Sequence, residues 1–345
     1  MENRSRPYLI GETAYIHEGD FAYLSRMVGE ISEVGFDAVK FHLLLDPKSY
    51  MSKSHPVFAG VQKRIFSKKQ WCEIFTYANS KRLDIIALCD DVESAEFILA
   101  EQKDIRAIEI HATGLNDHYL LNAVSKFQGS ILLGISGSAI EEIRFAVDFL
   151  KERDARKIIL MYGFQSFPTD HKDINFSKML EISKLFNLPV GHADHTAFDS
   201  PYNKTISILP AAMGFHILEK HYTLDTTEKR IDHEAAVGRE TMREIKELMK
   251  IALQAYGGKA SGYMSNAELE YGKIGFMKKA IVAKKFIGKG QKLGIDNLWF
   301  KRTGEAGLIK QSQFLSLIGL EAAQDIKEDE VIDLTKVKGW QGKTK

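Results

Sequence analysis

Cysteine is scarce in this 345-residue chain, with only Cys72 and Cys89. Two such residues build neither a disulfide framework nor a spaced metal motif, so both read as core thiols of a reducing compartment. Long apolar runs are also missing. No stretch of about 18 apolar residues occurs, so no membrane-spanning helix is expected. The opening Met1-Glu-Asn-Arg-Ser-Arg-Pro7 lacks the apolar core of a secretion signal, which leads to the expectation of a cytoplasmic protein. Charge of one sign is not in excess. The 47 Lys and Arg against 46 Asp and Glu leave a net charge of +1, giving no electrostatic case for nucleic acid or an anionic membrane. No Gly-x-Gly-x-x-Gly turn follows the first apolar run, which argues against a dinucleotide fold.

What is present is an ordinary globular composition, 44% hydrophobic and 27% charged, arranged in a regular alternation. Apolar runs at 8–12, 37–41, 85–88, 107–110, 130–135, 157–161, 188–190 and 215–218 read as strands. Amphipathic stretches at 21–34, 67–79, 92–101, 117–127, 139–153, 176–186, 200–213 and 239–256 read as helices, with Asp20 and Ser67 as N-caps. Eight strand-helix units in about 255 residues match the size and order of a (β/α)8 TIM barrel. The expected domains are a barrel over 1–256, a glycine-rich linker over 257–278, and a small β-rich module over 279–345. In that module Ala280–Leu293 is echoed by Glu321–Ile332. The 43–64 segment has little periodicity and reads as a long functional or surface excursion.

A barrel of this kind does its chemistry at the C-terminal ends of its strands. Those ends carry Glu12, Lys40, Asp90 with Asp91, Glu109 with His111, Ser136, Gln165, Asp194 with His195, and Glu219 with His221. On neighbouring parallel strands His195 and His221 would leave the same sheet edge. There they could share a divalent metal, or instead hydrogen-bond loop backbone as capped histidines. Imidazole nitrogens with oxygen ligands suit Mn2+ or Mg2+ rather than a closed zinc site. An open coordination position would let the ion polarise a substrate carbonyl, with Glu219 and Asp232 as second groups or bases. Asp90-Asp91 reads as the N-cap of the helix at 92, and 336–345 as a solvated lysine-rich end.

Several motifs resemble the sialic acid synthase (N-acetylneuraminate synthase) family. Its members condense phosphoenolpyruvate with an N-acetylated hexose to give nine-carbon ulosonic acids. Gly11-Glu-Thr-Ala-Tyr-Ile-His-Glu-Gly-Asp20 resembles that family's first motif, and Asp37-Ala-Val-Lys-Phe41 its second strand. Phe167-Pro-Thr169 stands for the Tyr-Pro-Thr loop. Ala193-Asp-His-Thr196, Glu219-Lys-His-Tyr-Thr-Leu-Asp225 and Ile231-Asp-His233 match three further motifs. Lys301-Arg-Thr-Gly304 resembles the signature of the antifreeze-like (SAF) domain. The resemblance implies that His195 and His221 bind the metal and that Glu12 and Asp232 lie beside metal and substrate. It implies that Lys40 helps hold phosphoenolpyruvate. It also implies that Arg302 reaches the partner's barrel in a domain-swapped homodimer to contact the sugar. Ser136, Gln165 and Phe167 are the remaining expected substrate contacts.

The departures from the family cluster on one side. Its Lys-Ile-x-Ser-Gly-Glu motif reads Glu109-Ile-His-Ala-Thr-Gly114 here. Thus Glu109 replaces a phosphate-binding lysine, Ala112 a serine and Gly114 a glutamate, while Gln165 replaces an asparagine and Ala193 a serine. Each lost charged hydrogen bond costs about 1.5–3 kcal/mol. Three readings follow. The chain retains phosphoenolpyruvate, with His111, His192 or Arg230 as replacement donors. Or it keeps the metal chemistry and takes a donor without phosphate. Or it is a sugar-binding relative without turnover.

Overall fold

The caps written into the sequence set the helix boundaries. In the computed structural model, which describes residues 6–101, 104–155, 157–166, 168–257 and 264–340, Asp20 accepts the Tyr23 amide at 3.0 Å. It thereby opens helix Phe21–Val34, and Gly35, at φ 83°, closes it. Leu24, Met27, Val28 and Ile31 form its buried stripe. Ser67 and Gln70 make a reciprocal capping box for helix Lys68–Ser80. Asp91, rather than Asp90, caps the helix that follows, accepting the Ser94 amide at 2.8 Å. Its other oxygen accepts the Leu45 amide at 2.7 Å, tying the 43–64 segment to the barrel. That segment is ordered around two short helices, Pro47–Tyr50 and Phe58–Gln62, and buries Phe58 and Val61.

The strands are β1 (Tyr8–Glu12), β2 (Ala38–Leu43), β3 (Asp84–Cys89), β4 (Ala107–Ile110), β5 (Ser130–Gly134), β6 (Ile158–Tyr162), β7 (Val190–Asp194) and β8 (Ile217–His221). They pair in parallel in sequence order, and β1 pairs with β8 to close an eight-stranded TIM barrel. Successive side chains of a strand point to opposite faces. Outward residues such as Val39, Phe41, Ile108 and Ile110 join the main core between sheet and helices. Inward residues fill the barrel in layers. Ile10, Ala38, Ile86, Ala107, Leu132, Ile159 and Ile217 form an apolar floor, and the next inward position toward the C-terminal end is polar on several strands. β7 and β8 differ from the expected runs: 188–190 and 215–218 overlap them only at their first residues, Val190 and Ile217 with Leu218. Both strands continue through their charged residues, with Ala193 opposite Glu219 and Asp194 opposite Lys220. Polar residues persist there because the barrel buries and pairs them.

The chain divides into a unit spanning Met1–Gly258 and one spanning Lys259–Lys345. Part of the expected 257–278 linker is structured, as helix Asn266–Tyr271 capped by Ser265. In the second unit β9 (Ala280–Ala283) pairs antiparallel with β10 (Leu298–Lys301). The two echoed segments bridge each other antiparallel at Val282–Val331, Ile287–Ile326 and Lys292–Glu321. Ile281, Ile287, Leu293, Leu298, Ile326 and Ile332 fill the core they enclose. The expectation of a solvated end from Lys336 onward is corrected for its first residues. Lys336 is buried against Glu330 at 2.9 Å and the Val331 carbonyl at 2.7 Å, and Val337 bridges Ala322.

Gly163, just after β6, sits at φ 143°, where any Cβ would strike the Ala193 carbonyl. Gly163→Ala is expected to cost more than about 2 kcal/mol. The check is the shift in urea midpoint, which a tolerated side chain would leave unchanged.

Candidate active site

A cavity of about 430 Å3 opens at the C-terminal end of the barrel. It is lined by Glu12, Lys40, Glu109, Ser136, Gln165, His195, Glu219, His221 and Asp232, all expected from the strand-end reading or the motifs. Strand periodicity explains the grouping. Lys40 and His42 share the inner face of β2, and Glu219 and His221 that of β8, while Phe41 and Lys220 face outward.

Lys40 is the hub. Its Nζ lies 2.8 Å from Glu219, 3.1 Å from Glu109 and 3.3 Å from Glu12, and all four groups are buried. Glu109 presents both oxygens, each at 3.1 Å. Burial disfavours the ammonium, but Glu109, Glu12 and Glu219 more than compensate and raise its pKa. One cation cannot neutralise three carboxylates, so the three glutamates diverge. Burial opposes ionisation of Glu12, yet Lys40, His221 and His42 hold its carboxyl well below the usual range. Burial, reinforced by neighbouring Glu12, pushes Glu219 well above it. Burial and the Glu12 charge also raise Glu109 against the pull of Lys40.

His42 lies in this network without having been singled out in the sequence. Its Nε2 is 2.7 Å from Glu12 and its Nδ1 3.7 Å from Asp90, and Asp90 also accepts the Tyr15 hydroxyl at 2.9 Å. Burial would lower the His42 pKa, but Asp90 and Glu12 raise it to about 10. The available signal was its place two residues after Lys40, hidden because the apolar run appeared to end at Phe41.

Glu12, His195 and His221 each offer one ligand atom, and the three atoms lie within 4.8 Å of one another. The imidazole rings stand nearly perpendicular, 4.8 Å between centroids. The Nδ1 atoms of His195 and His221 are buried without a hydrogen-bond partner, and burial together with neighbouring His221 lowers the His195 pKa to about 3. A neutral imidazole with free lone pairs is the ligand form, so two histidines and an ionised carboxylate fit a divalent cation with open positions.

Asp194 does not join this group. It faces outward to Lys220 at 3.0 Å, with Thr196 Oγ1 at 2.6 Å on its other oxygen. Burial would raise Asp194, but Lys220 and the hydroxyls of Ser207 and Thr196 keep its carboxyl far below the usual range. This buried pair ties β7 to β8 one residue before His195 and His221. Asp232, at φ 61°, accepts Gln165 Nε2 at 2.9 Å. Of the three candidate replacement donors only His111 lines the cavity. His192 packs against Phe176. Arg230 lies over the Tyr23 ring and bonds the Ile16 carbonyl and Glu228. Arg302, in the second unit, donates to the Phe276 carbonyl at 2.7 Å. Phe167 lies outside the described residues. A second cavity of about 570 Å3, which includes Tyr50, His55, Asp90 and Asp117, shares His111 and Thr113 with the first.

Residues 27–261 match the NeuB family, and residues 278–338 match the SAF domain. The chain belongs to the NeuB family. It is 28% identical over 326 residues to an uncharacterized protein of Methanocaldococcus jannaschii, covering 94% of this chain and 93% of that one. It is 24% identical over 339 residues to the N,N'-diacetyllegionaminic acid synthase of Campylobacter jejuni, covering 94% and 98%. The crystal structure of a Chromobacterium violaceum protein described as spore coat polysaccharide biosynthesis protein E superposes with a TM-score of 0.82 at 18% identity. It covers 96% of this chain and 100% of that one, a likeness of fold. This NeuB-family chain is thus an enzyme of the carbon–carbon bond-forming synthase type, in carbohydrate biosynthesis. Among the described residues no helix is long and apolar enough to cross a membrane.

Two outcomes follow for the apoprotein. Lys220→Met leaves Asp194 charged and unpaired in the interior and is expected to cost about 3–5 kcal/mol, read from urea unfolding. Retention of wild-type stability would show that the pair is dispensable. Burial lowers His192 to about 4 and His17 to about 3, against an unfolded value near 6.5. Below pH 6.5 the unfolded chain therefore takes up protons that the folded chain refuses, and stability falls as pH drops from 6.5 toward 4. His192→Gln should flatten that slope in a pH series of melting curves.

Proposed function

We propose that this chain is a nonulosonic acid synthase. It would join the enol carbon of a three-carbon donor to the open-chain aldehyde of an N-acetylated aldose, for surface polysaccharide or glycan biosynthesis. The observation carrying this is the convergence of Glu12, His195 and His221 beside a cavity large enough for two small substrates. In the proposal the three residues hold Mn2+ or Mg2+, which when bound supplies Lewis acidity toward the aldehyde oxygen.

The protein's own groups do the rest. Glu12, held by His42 and Lys40, keeps a fixed orientation. Asp232, anchored by Gln165, stands at the cavity wall as a partner for substrate hydroxyls. Glu219, whose Oε2 has no hydrogen-bond partner, is placed to give or take a proton. Ser136 and Thr113 add neutral hydroxyls to the lining.

Two donors fit the same bond-forming step. Phosphoenolpyruvate is the one implied by the family resemblance: its enol carbon attacks the aldehyde, water adds to the resulting cation, and phosphate leaves. A donor without phosphate is favoured by the carboxylates packed around Lys40. The proposal further places the enzyme in the cytoplasm as a domain-swapped homodimer in which Arg302 contacts the partner-bound sugar. The exposed Phe286, Ile295, Trp299 and Leu308 of the second unit support a docking role for it.

The direct test supplies Mn2+, an N-acetylmannosamine-type acceptor and either phosphoenolpyruvate or pyruvate, and looks by mass spectrometry for the nine-carbon acid. Absence of that acid with every acceptor would sink the proposal. His195→Ala and His221→Ala together should weaken Mn2+ binding more than about 100-fold by electron paramagnetic titration, and unchanged affinity would remove the metal site. Arg302→Ala should raise the acceptor KM about tenfold with little change in kcat. A monomer in sedimentation equilibrium would contradict the dimer.

A further inference from the structure

We infer that Glu109 sets the charge of the donor, and that this pocket takes a 2-oxo acid or its enol carrying one carboxylate and no phosphate. The inference rests on the synthase reading above and names its substrate class.

Among the described residues lining the cavity, Lys40 is the one lysine or arginine, against four carboxylates. That lysine is already engaged. Both Glu109 oxygens lie 3.1 Å from its Nζ, with Glu219 and Glu12 at 2.8 and 3.3 Å. Releasing it to a phosphate would strand Glu109, which is 2% exposed, without its partner. A phosphate lodged beside Glu109 would also be repelled. One pair of like unit charges about 4 Å apart, at an effective dielectric near 20, lowers affinity about a thousandfold. No other protein cation is free for it. The His42 ring, which also lines the cavity, is engaged by Glu12 at 2.7 Å and faces Asp90 at 3.7 Å. Arg230 lies outside the lining, over Tyr23 and bonded to Ile16 and Glu228.

The remaining polar lining suits a smaller charge. Thr113, Ser136 and Gln165 are neutral hydrogen-bonding groups, enough to orient a carboxylate and a ketone. The step then balances without a leaving group. The donor's C3–H proton passes to a pocket carboxylate, and C3 forms a bond to the aldehyde carbon. The aldehyde oxygen becomes a hydroxyl by taking a proton back. No oxidant, reductant or water is consumed.

The test uses the full-length protein loaded with Mn2+, with pyruvate and phosphoenolpyruvate as probes in calorimetric titrations. Each is then supplied with N-acetylmannosamine while free phosphate is followed. The wild type should bind pyruvate at least about 100-fold more tightly than phosphoenolpyruvate and form the nine-carbon acid from pyruvate. Glu109→Lys should raise phosphoenolpyruvate affinity at least about 100-fold, and the near-isosteric Glu109→Gln at least about tenfold. Glu109→Gln keeps the test open if charge reversal prevents folding.

Equal or tighter binding of phosphoenolpyruvate by the wild type, binding of neither probe, or no gain in either folded variant would overturn the inference. Release of phosphate in step with product would sink this inference and leave the synthase reading intact. Failure to bind Mn2+, or no carbon–carbon product from either donor, would bring down both.

Discussion

Four ionisable side chains on four strands meet at the top of the barrel: Glu12 on β1, Lys40 on β2, Glu109 on β4 and Glu219 on β8. Water is nearly excluded from the cluster, so whatever charge it carries is held by its own members. Removing one strands the rest in a medium of low polarisability. This mutual dependence fixes where each carboxylate points. Glu12, held between Lys40, His42 and His221, is thereby aimed at the histidine pair. The placement of Glu12 against the histidine pair and the balance of charge in the cavity both derive from how this one lysine is shared.

A second ion pair works from outside the barrel. Asp194 and Lys220 alternate with the inward groups on β7 and β8, so the period-two geometry that sends His221 inward sends Lys220 outward. Their contact clamps the two strands just before His195 and His221. A site built on strands backed by a buried pair is held more rigidly than one built on loops. Gln165 and Asp232, by contrast, stand on the loops after β6 and β8 and steady each other through one hydrogen bond. The cavity therefore has a rigid half at the strand ends, with Glu12, His195 and His221, and a half built from loops, with Gln165 and Asp232.

Much of this was legible before any coordinates. Alternating apolar and amphipathic stretches were enough for the barrel, because eight such units close on themselves with few competing arrangements. Asp20 and Ser67 placed helix starts, because a capping side chain binds amides only three residues away and needs no tertiary partner. The histidine pair, Glu12 and Asp232 were readable from motif position. His42 and the outward face of Asp194 were not, because each depends on strand register. The expected runs stopped short at Phe41 and Val190, before the polar residues that the sheet still carries. Lys336 misled in the same way, since a lysine reads as solvated until a fold encloses it with Glu330.

The sequence by itself determined the order of elements, the caps and the residue types available at the strand ends, since these rest on contacts a few residues long. It also recorded that a glutamate stands at position 109. Only the tertiary structure decided what that glutamate does. Position 109 lies 69 residues from Lys40, and nothing local brings them together. Barrel closure does so, by packing inward side chains of non-adjacent strands into one layer where burial forces opposite charges to pair.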